Sequence, residues 1–390
     1  MRKALISLFV AAGLLVAFTA GCKDRGNEAG GGTTGENVNL GLFVSTTGAI
    51  ATFGLDTKNG AEIAVAEINE AGGIKGKKIN MVFYDTESKA ESAGNAATKL
   101  ATQDKVLVAM GAVASGLSLA AAPVFQANKI PMVSPSSTNP TVTEQGDYIF
   151  RICYLDDFQG GACAVFAYKD LGKRKAAILA NRDDAYSTGL ANFFKSKFTA
   201  LGGQIVTEQT YAANTSDFNT QVSNIKGSGA DIIFAPVYYT DMSLIAKQVK
   251  AQGINVPMLG GDGWESDKLV PEAGDALEGS YFGNHYSQED KAENVQNFVK
   301  KYTDKHGKAP TSLAALGYDV VYFVKQAIEQ AGEFDRAKVR DAMAGIKDFK
   351  GVTGTFSIDS KRNARKPISM LQIKGARFLP VRQIKPEEVE

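Results

Sequence analysis

Histidine is almost missing from this chain: His285 and His306 are the two found in 390 residues. Neither stands near a pair of cysteines at zinc-ligand spacing, so no structural metal site is expected. Tryptophan is scarcer still, with Trp264 alone. Charge of one sign is lacking as well. The net charge is +1, and loss of Arg2 and Lys3 would bring it to −1. That balance gives no basic face for nucleic acid. No apolar run beyond the first residues is long enough to cross a bilayer. The chain has no Gly-x-Ser-x-Gly elbow and no Walker loop, so neither a serine hydrolase nor a phosphate-cradling enzyme is indicated. Gly227-Ser228-Gly229 opens like a dinucleotide loop, but Ile232 fills the third glycine place and the segment precedes a strand. The adjacent acids Asp183 and Asp184 read as a solvated loop. No cofactor is expected.

What is present begins at the N-terminus. Met1-Arg2-Lys3 is a short positive head, Ala4–Ala17 an apolar core, and Phe18-Thr19-Ala20-Gly21 a small-residue cut region. This is the grammar of a secretory leader over residues 1–21. Cys22 would become the new N-terminus, as in a bacterial lipoprotein box, although Thr19 stands where that box usually has Leu. The alternative is an ordinary leader followed by a chance cysteine. Residues 22–37, rich in Gly, Asn and Thr, read as a flexible tether. The remaining cysteines, Cys153 and Cys163, are open to two readings: a disulfide formed on export, or two small buried apolar residues.

From Val38 onward, strands and helices alternate. Apolar strand-like runs occur at Val38–Ser45, Ile79–Tyr84, Val106–Gly111 and Ile130–Ser134. Helical spacing occurs at Thr57–Ala71, Ala90–Thr102 and Ser118–Ala127. The rhythm restarts after Tyr148–Arg151, with helices at Phe158–Leu171, Gly189–Leu201, Phe218–Lys226 and Met242–Gln252. Strands are expected at Ala176–Ala180, Gln204–Glu208, Ile232–Pro236 and Met258–Gly260. Later come helices Glu293–His306, Ser312–Ala331 and Ala337–Ala344, then a hairpin at Ser369–Lys374 and Arg377–Val381. Two such series imply an α/β chain of two doubly wound parallel-sheet lobes.

Ligands of open parallel sheets bind beyond the carboxyl ends of the strands. In the first series those positions hold Ser45-Thr46-Thr47, Phe53, Ala114-Ser115-Gly116 and Pro135-Ser136-Ser137-Thr138. In the second they hold Tyr186, Val237-Tyr238-Tyr239 and Gly261-Asp262-Gly263-Trp264. One half offers hydroxyls and backbone N–H groups at helix starts, which suit a carboxylate. The other offers aromatics and Asp262, which suits an ammonium group. The plainer reading makes the Ser and Thr residues N-caps and the aromatics core.

The order Gly60-Ala61-Glu62 to Gly73-Ile74-Lys75-Gly76, then Tyr84-Asp85, Pro135-Ser136-Ser137-Thr138, Asp156 to Gly160 and Tyr186 to Leu190, resembles the branched-chain amino-acid-binding proteins of ATP-driven importers. The resemblance covers nearly all of residues 38–375. It implies a type I periplasmic binding protein fold: two lobes joined by three crossings with the ligand between them. Residues 38–156 and 286–368 would form lobe 1, and 157–285 and 369–390 lobe 2. Carried over by motif, Ser115 and Thr138 would hold the ligand carboxylate. The Ser136 carbonyl and Asp262, which stands where the family often has Glu, would hold the ammonium. Tyr186 would reach the ligand from lobe 2, and Phe53, Tyr238 and Leu313 would touch its side chain. Trp264 would narrow the pocket. Ser88 and Ala114 occupy places where some members carry a disulfide. The expected protein is a monomeric, non-enzymatic receptor in the periplasm or cell envelope, tethered through Cys22. It would pass a free aliphatic amino acid to a membrane permease. The competing readings are a sensory receptor of the same fold, an exported hydrolase, and a sugar-responsive repressor, which would need a DNA-binding helix pair at the N-terminus.

Overall fold

The computed structural model describes residues 33–390. The leader, Cys22 and the start of the tether lie outside the described residues. The fold begins earlier than Val38. Thr33–Thr34 doubles back on Asn37 and Val38 in antiparallel pairing, and the Glu36 carbonyl accepts from the Lys78 N–H at 3.0 Å. This short hairpin satisfies backbone groups at the head of the first strand. The segment expected to be tether up to Asn37 is therefore partly sheet.

The first sheet has the spatial order Lys78–Asp85, Asn37–Val44, Val108–Gly111, Met132–Ser134, Ile149–Arg151, all parallel. Its inner strands are buried on both faces, with Val38, Leu40, Leu42, Phe43 and Val44 fully covered. That two-sided burial explains why these strands read as unbroken apolar runs. The second sheet repeats the plan: Gln204–Tyr211, Lys175–Asn181, Ile232–Phe234, Met258–Gly260 and Tyr281–Asn284 run parallel. An antiparallel hairpin, Ile368–Lys374 and Arg377–Ile384, closes its far edge. Pro380 and the exposed Arg377 and Val381 suit an edge strand that pairs on one side.

The chain crosses between the lobes after Arg151, after Asn284 and after Lys366. On its return to the first lobe, helices Glu293–His306 and Ser312–Ala331 pack on helix Ala51–Glu70. Val295, Phe298 and Tyr302 meet Ile63 and Ala314 there. A small antiparallel sheet, Phe349–Gly351, Gly354–Ile358 and Ala364–Arg365, covers the end of Ser312–Ala331 through Phe349 and Phe356 against Phe323. The strand Tyr281–Asn284 and this small sheet were not read from the sequence.

One difference recurs along the chain. Several helices begin before their apolar period does: Ala51 where Thr57 is expected, Ser115 where Ser118 is, Ala185 where Gly189 is, Tyr239 where Met242 is. These first turns stand at the cleft, where small and polar residues such as Thr52, Gly116 and Thr240 interrupt the apolar period, so hydrophobic spacing places the starts too late. At Ala51–Glu70 the early start also needs Gly54. A Cβ there would lie 2.0 Å from the Ser45 carbonyl oxygen.

Candidate functional site

Both sheets have the strand order 2-1-3-4-5, whose reversal point lies between the first and third strands. The carboxyl ends of those strands in the two lobes face each other across one cleft. A small cavity there is lined by Phe53, Ser115, Ser136, Thr138, Tyr186, Tyr238, Asp262 and Leu313, together with Val113, Ala114 and Gly263. Eight of the nine ligand-binding residues expected from the sequence thus meet in one place.

The first-lobe wall is made of short side chains and backbone. Ser115 opens helix Ser115–Ala127, and Ala114 before it supplies no side-chain cap. Ser115 Oγ accepts from the Asn139 N–H at 3.2 Å, and Ser136 Oγ donates to the Val113 carbonyl at 3.2 Å. The Thr138 carbonyl accepts from the Asp156 N–H at 3.0 Å, which ties this wall to the first crossing. Uncapped N–H groups at a helix start favour an anion, here at the head of a helix with no acidic residue in its first turn.

The second-lobe wall is built from larger side chains. Tyr186 sits in the first turn of helix Ala185–Ala200, whose N-cap Asp184 accepts from the Ser187 N–H at 3.1 Å. Burial raises the Asp184 carboxyl to about 6, against the hydrogen bonds that lower it. The Tyr186 hydroxyl donates to Asp262 Oδ1 at 3.0 Å and accepts from the Gly263 N–H at 3.1 Å. Tyr238 stacks on Tyr186 with centroids 5.1 Å apart and planes 10° apart. Phe53 from the first lobe meets Tyr238 edge-on at 5.8 Å. Asp262 is held from three directions: Tyr186 on Oδ1, His285 Nε2 on Oδ2 at 3.0 Å, and its own N–H donating to Gln159 Oε1 at 2.8 Å. Behind it, Asp156 is fully buried. Desolvation, and then the charge of Asp262, push its carboxyl well above the usual range.

One expectation is corrected, and one open choice is decided. Trp264 does not line the cleft. Its indole is fully buried in the second lobe, packed over Gly260, and its Nε1 donates to the Ala235 carbonyl at 2.9 Å. Asp262-Gly263-Trp264 forms a single 3₁₀ turn, so successive side chains point different ways: Asp262 into the cleft, Trp264 into the core. Cys153 and Cys163 are free buried thiols, not a disulfide. Cys153 Sγ donates to the Ser137 carbonyl and Cys163 Sγ to the Gly260 carbonyl, on different elements. Burial pushes the Cys153 thiol up to about 12 and raises Cys163 too. Such thiols are inert in the manner of small apolar residues.

The sequence reading gave His285 and Gln159 no part in the cleft, and named Gly263 only as a neighbour of Asp262 at a strand end. His285 follows the strand Tyr281–Asn284 directly, so the rule of strand carboxyl ends would have found it had that strand been recognised. Among the described residues no cluster of three or more His, Cys, Asp or Glu side chains is arranged for a metal ion.

The lobes touch across the cleft. Thr52 Oγ1 and Ser266 Oγ lie 3.1 Å apart, Tyr239 Oη donates to the Ala49 carbonyl at 3.1 Å, and Asn139 Nδ2 to the Ala185 carbonyl at 2.7 Å. Lys308 bridges Asp56 at 3.0 Å and Asp267 at 2.7 Å. Glu265 of the second lobe accepts from the Ser312 N–H at 2.7 Å and from its hydroxyl, at the head of the first-lobe helix Ser312–Ala331.

Residues 37–377 match the family model described as periplasmic binding protein. The chain belongs to that family. It is 31% identical over 370 residues to Leu/Ile/Val-binding protein homolog 1 of Brucella abortus (strain 2308), covering 94% of this chain and 95% of the relative. The fold is similar to the leucine-binding protein LivK of Thermotoga maritima, with a TM-score of 0.87 and 36% identity over 90% of this chain and 99% of that one. It is also similar to LivJ of Streptococcus pneumoniae in complex with isoleucine, with a TM-score of 0.84 and 31% identity over 88% and 99% of the two chains. The protein is therefore a type I periplasmic binding protein of two lobes, a solute-binding protein and not an enzyme. Its place is the periplasm or cell envelope. No described helix is long and apolar enough to cross a membrane.

Proposed function

We propose that the protein binds a free aliphatic, branched-chain amino acid between its lobes and presents it to the permease of an ATP-driven importer. One observation carries the ligand class: the uncapped helix start at Ser115 faces the Asp262 carboxylate across a cavity walled by Phe53, Tyr238 and Leu313. That pairing of an anion-favouring wall with an acid suits a zwitterion, and the apolar lining suits a side chain without charge. In this reading Ser115 and Thr138 take the carboxylate, Asp262 and the Ser136 carbonyl take the ammonium, and Tyr186 braces Asp262. The similar LivK and LivJ structures, named for leucine binding and solved with isoleucine respectively, support the ligand class. Closure requires a ligand that contacts both walls and so binds the closed state more tightly than the open one. The protein acts as a monomer over the domain spans given above. Cys22 carries the lipid that keeps it beside its permease.

Mass spectrometry of small molecules released from the purified protein, followed by calorimetry with leucine, isoleucine and valine, tests the ligand class. Release or binding of a non-zwitterionic acid in preference to these would overturn it. Metabolic labelling with a fatty acid, compared between the parent and Cys22→Ala, tests the anchor.

A further inference from the structure

We infer that His285 is the positioning residue that fixes the Asp262 carboxylate for an ammonium group and ties that carboxylate to the hinge between the lobes. The inference rests on the ligand reading just given and names what makes its key acid work.

His285 stands in the second crossing, one residue beyond the strand Tyr281–Asn284. Its side chain is fully buried. The ring lies flat on Tyr154 of the first crossing, with centroids 4.0 Å apart and planes 25° apart. The His285 backbone N–H donates to Asn284 Oδ1 at 2.8 Å. The Tyr154 stack sets where the ring sits, and Nε2 then reaches Asp262 Oδ2 at 3.0 Å. A carboxylate oxygen accepts, so Nε2 carries the proton. Nδ1 is buried with no partner, which fits an unprotonated ring nitrogen better than a second N–H left without an acceptor. Burial, joined by the nearby Lys366 ammonium of the third crossing, holds the imidazole below its ordinary pKa despite the pull of Asp262.

The chemistry of a neutral donor matters at this place. An arginine or lysine here would hold Asp262 equally well but would cancel the charge that attracts an ammonium group. A neutral N–H orients the carboxylate and leaves its charge in place. Tyr186 does the same on the other oxygen at 3.0 Å. Each carboxylate oxygen then has one donor from the protein and one lone-pair direction left for a ligand. Asp262 and its two donors are closely buried, and such a network holds a fixed geometry when its members are paired. The second link is to motion. Tyr154 and His285 come from two of the three crossings, so the acid at the cleft is braced from segments that join the lobes.

Two variants of the full-length protein and one spectrum test this. His285→Phe keeps a flat ring against Tyr154 and removes the donor. His285→Gln restores an N–H at the end of the side chain. Leucine affinity by calorimetry is expected to fall on the order of tenfold to a hundredfold in His285→Phe, as for a lost hydrogen bond to a charged group, and to recover for the most part in His285→Gln. Equal affinity in the parent and His285→Phe, or no recovery in His285→Gln, would overturn the positioning role. Absence of leucine binding by the parent would overturn the ligand reading beneath it. Because the chain has two histidines, ¹⁵N-histidine spectra of the parent, assigned with His306→Gln, report on the ring even if His285→Phe does not fold. The expected result is a neutral Nε2–H tautomer whose Nε2 resonance moves on leucine addition while His306 stays still. An Nδ1–H tautomer, or a resonance that ignores saturating leucine, would sink the inference.

Discussion

The two walls of the cleft come from lobes with the same strand order, yet they are built in different ways. The first-lobe wall uses a helix start, short hydroxyls and main chain, with Ser115, Ser136 and Thr138 each tied to backbone groups. The second-lobe wall uses long side chains that hold one another: Tyr186, Tyr238, His285 and Gln159 around Asp262. The difference teaches where binding is vulnerable. Removing a hydroxyl from the first wall leaves its helix N–H groups in place. Removing a side chain from the second leaves buried partners unpaired, which costs more than the bond itself.

The largest expected effect follows from that asymmetry. Asp262→Ala should weaken leucine binding by about 2–4 kcal/mol, because an ammonium would be left without its counter-charge in a closed cleft. Calorimetry showing parent-like affinity would erase the distinction between the walls. The next effect concerns the place where the second lobe reaches into the first. Glu265 is fully buried at the head of helix Ser312–Ala331, and desolvation raises it from an ordinary 4.5 to about 7. The folded protein holds this proton more tightly than the unfolded chain does. Stability should therefore fall as pH rises from about 4.5 to about 7, on the order of 1–3 kcal/mol. Asp184, raised to about 6, has the same sign. His285, lowered by burial, has the opposite one and loses stability as pH falls below 6.5. The Glu265 share is isolated by Glu265→Gln, whose melting temperature should vary less over that window than the parent's. Parallel curves would assign the pH dependence elsewhere.

Tyr186→Phe should weaken leucine binding by about 1–2 kcal/mol, since Asp262 Oδ1 loses its donor and the Gly263 N–H its acceptor. Ser115→Ala should cost least, about 0.5–1.5 kcal/mol, because the helix start remains. Reversal of these last two in a titration series would mean that the first wall depends on its hydroxyls more than on its backbone.

Much of the plan was legible before the structure. Two rounds of apolar strands and amphipathic helices led to two parallel sheets, because strands covered on both faces must be apolar throughout. The rule of strand carboxyl ends then gathered eight residues that do line one cavity. Its failure at Trp264 has a local cause. Residues two apart in a tight 3₁₀ turn face different ways, and sequence proximity to Asp262 says nothing about which way. His285 went unnoticed because Tyr281–Asn284 is short and interrupted by Gly283, so the strand that would have flagged it left no apolar run to read.

The sequence by itself determined the layering, the alternation and the chemistry available at each strand end, because these depend on local spacing of apolar and polar residues. Only the tertiary structure decided which of those ends face one another and which side chains brace Asp262. Tyr154, Gln159, Tyr186 and His285 are separated along the chain by up to 131 residues. They meet because the fold of the second lobe and the two crossings at its ends bring them together, and no local pattern records a contact made at that distance. The same reason keeps Cys153 and Cys163 apart in bonding though near in sequence: one faces the Ser137 carbonyl, the other the Gly260 carbonyl, and the fold between them sets their directions.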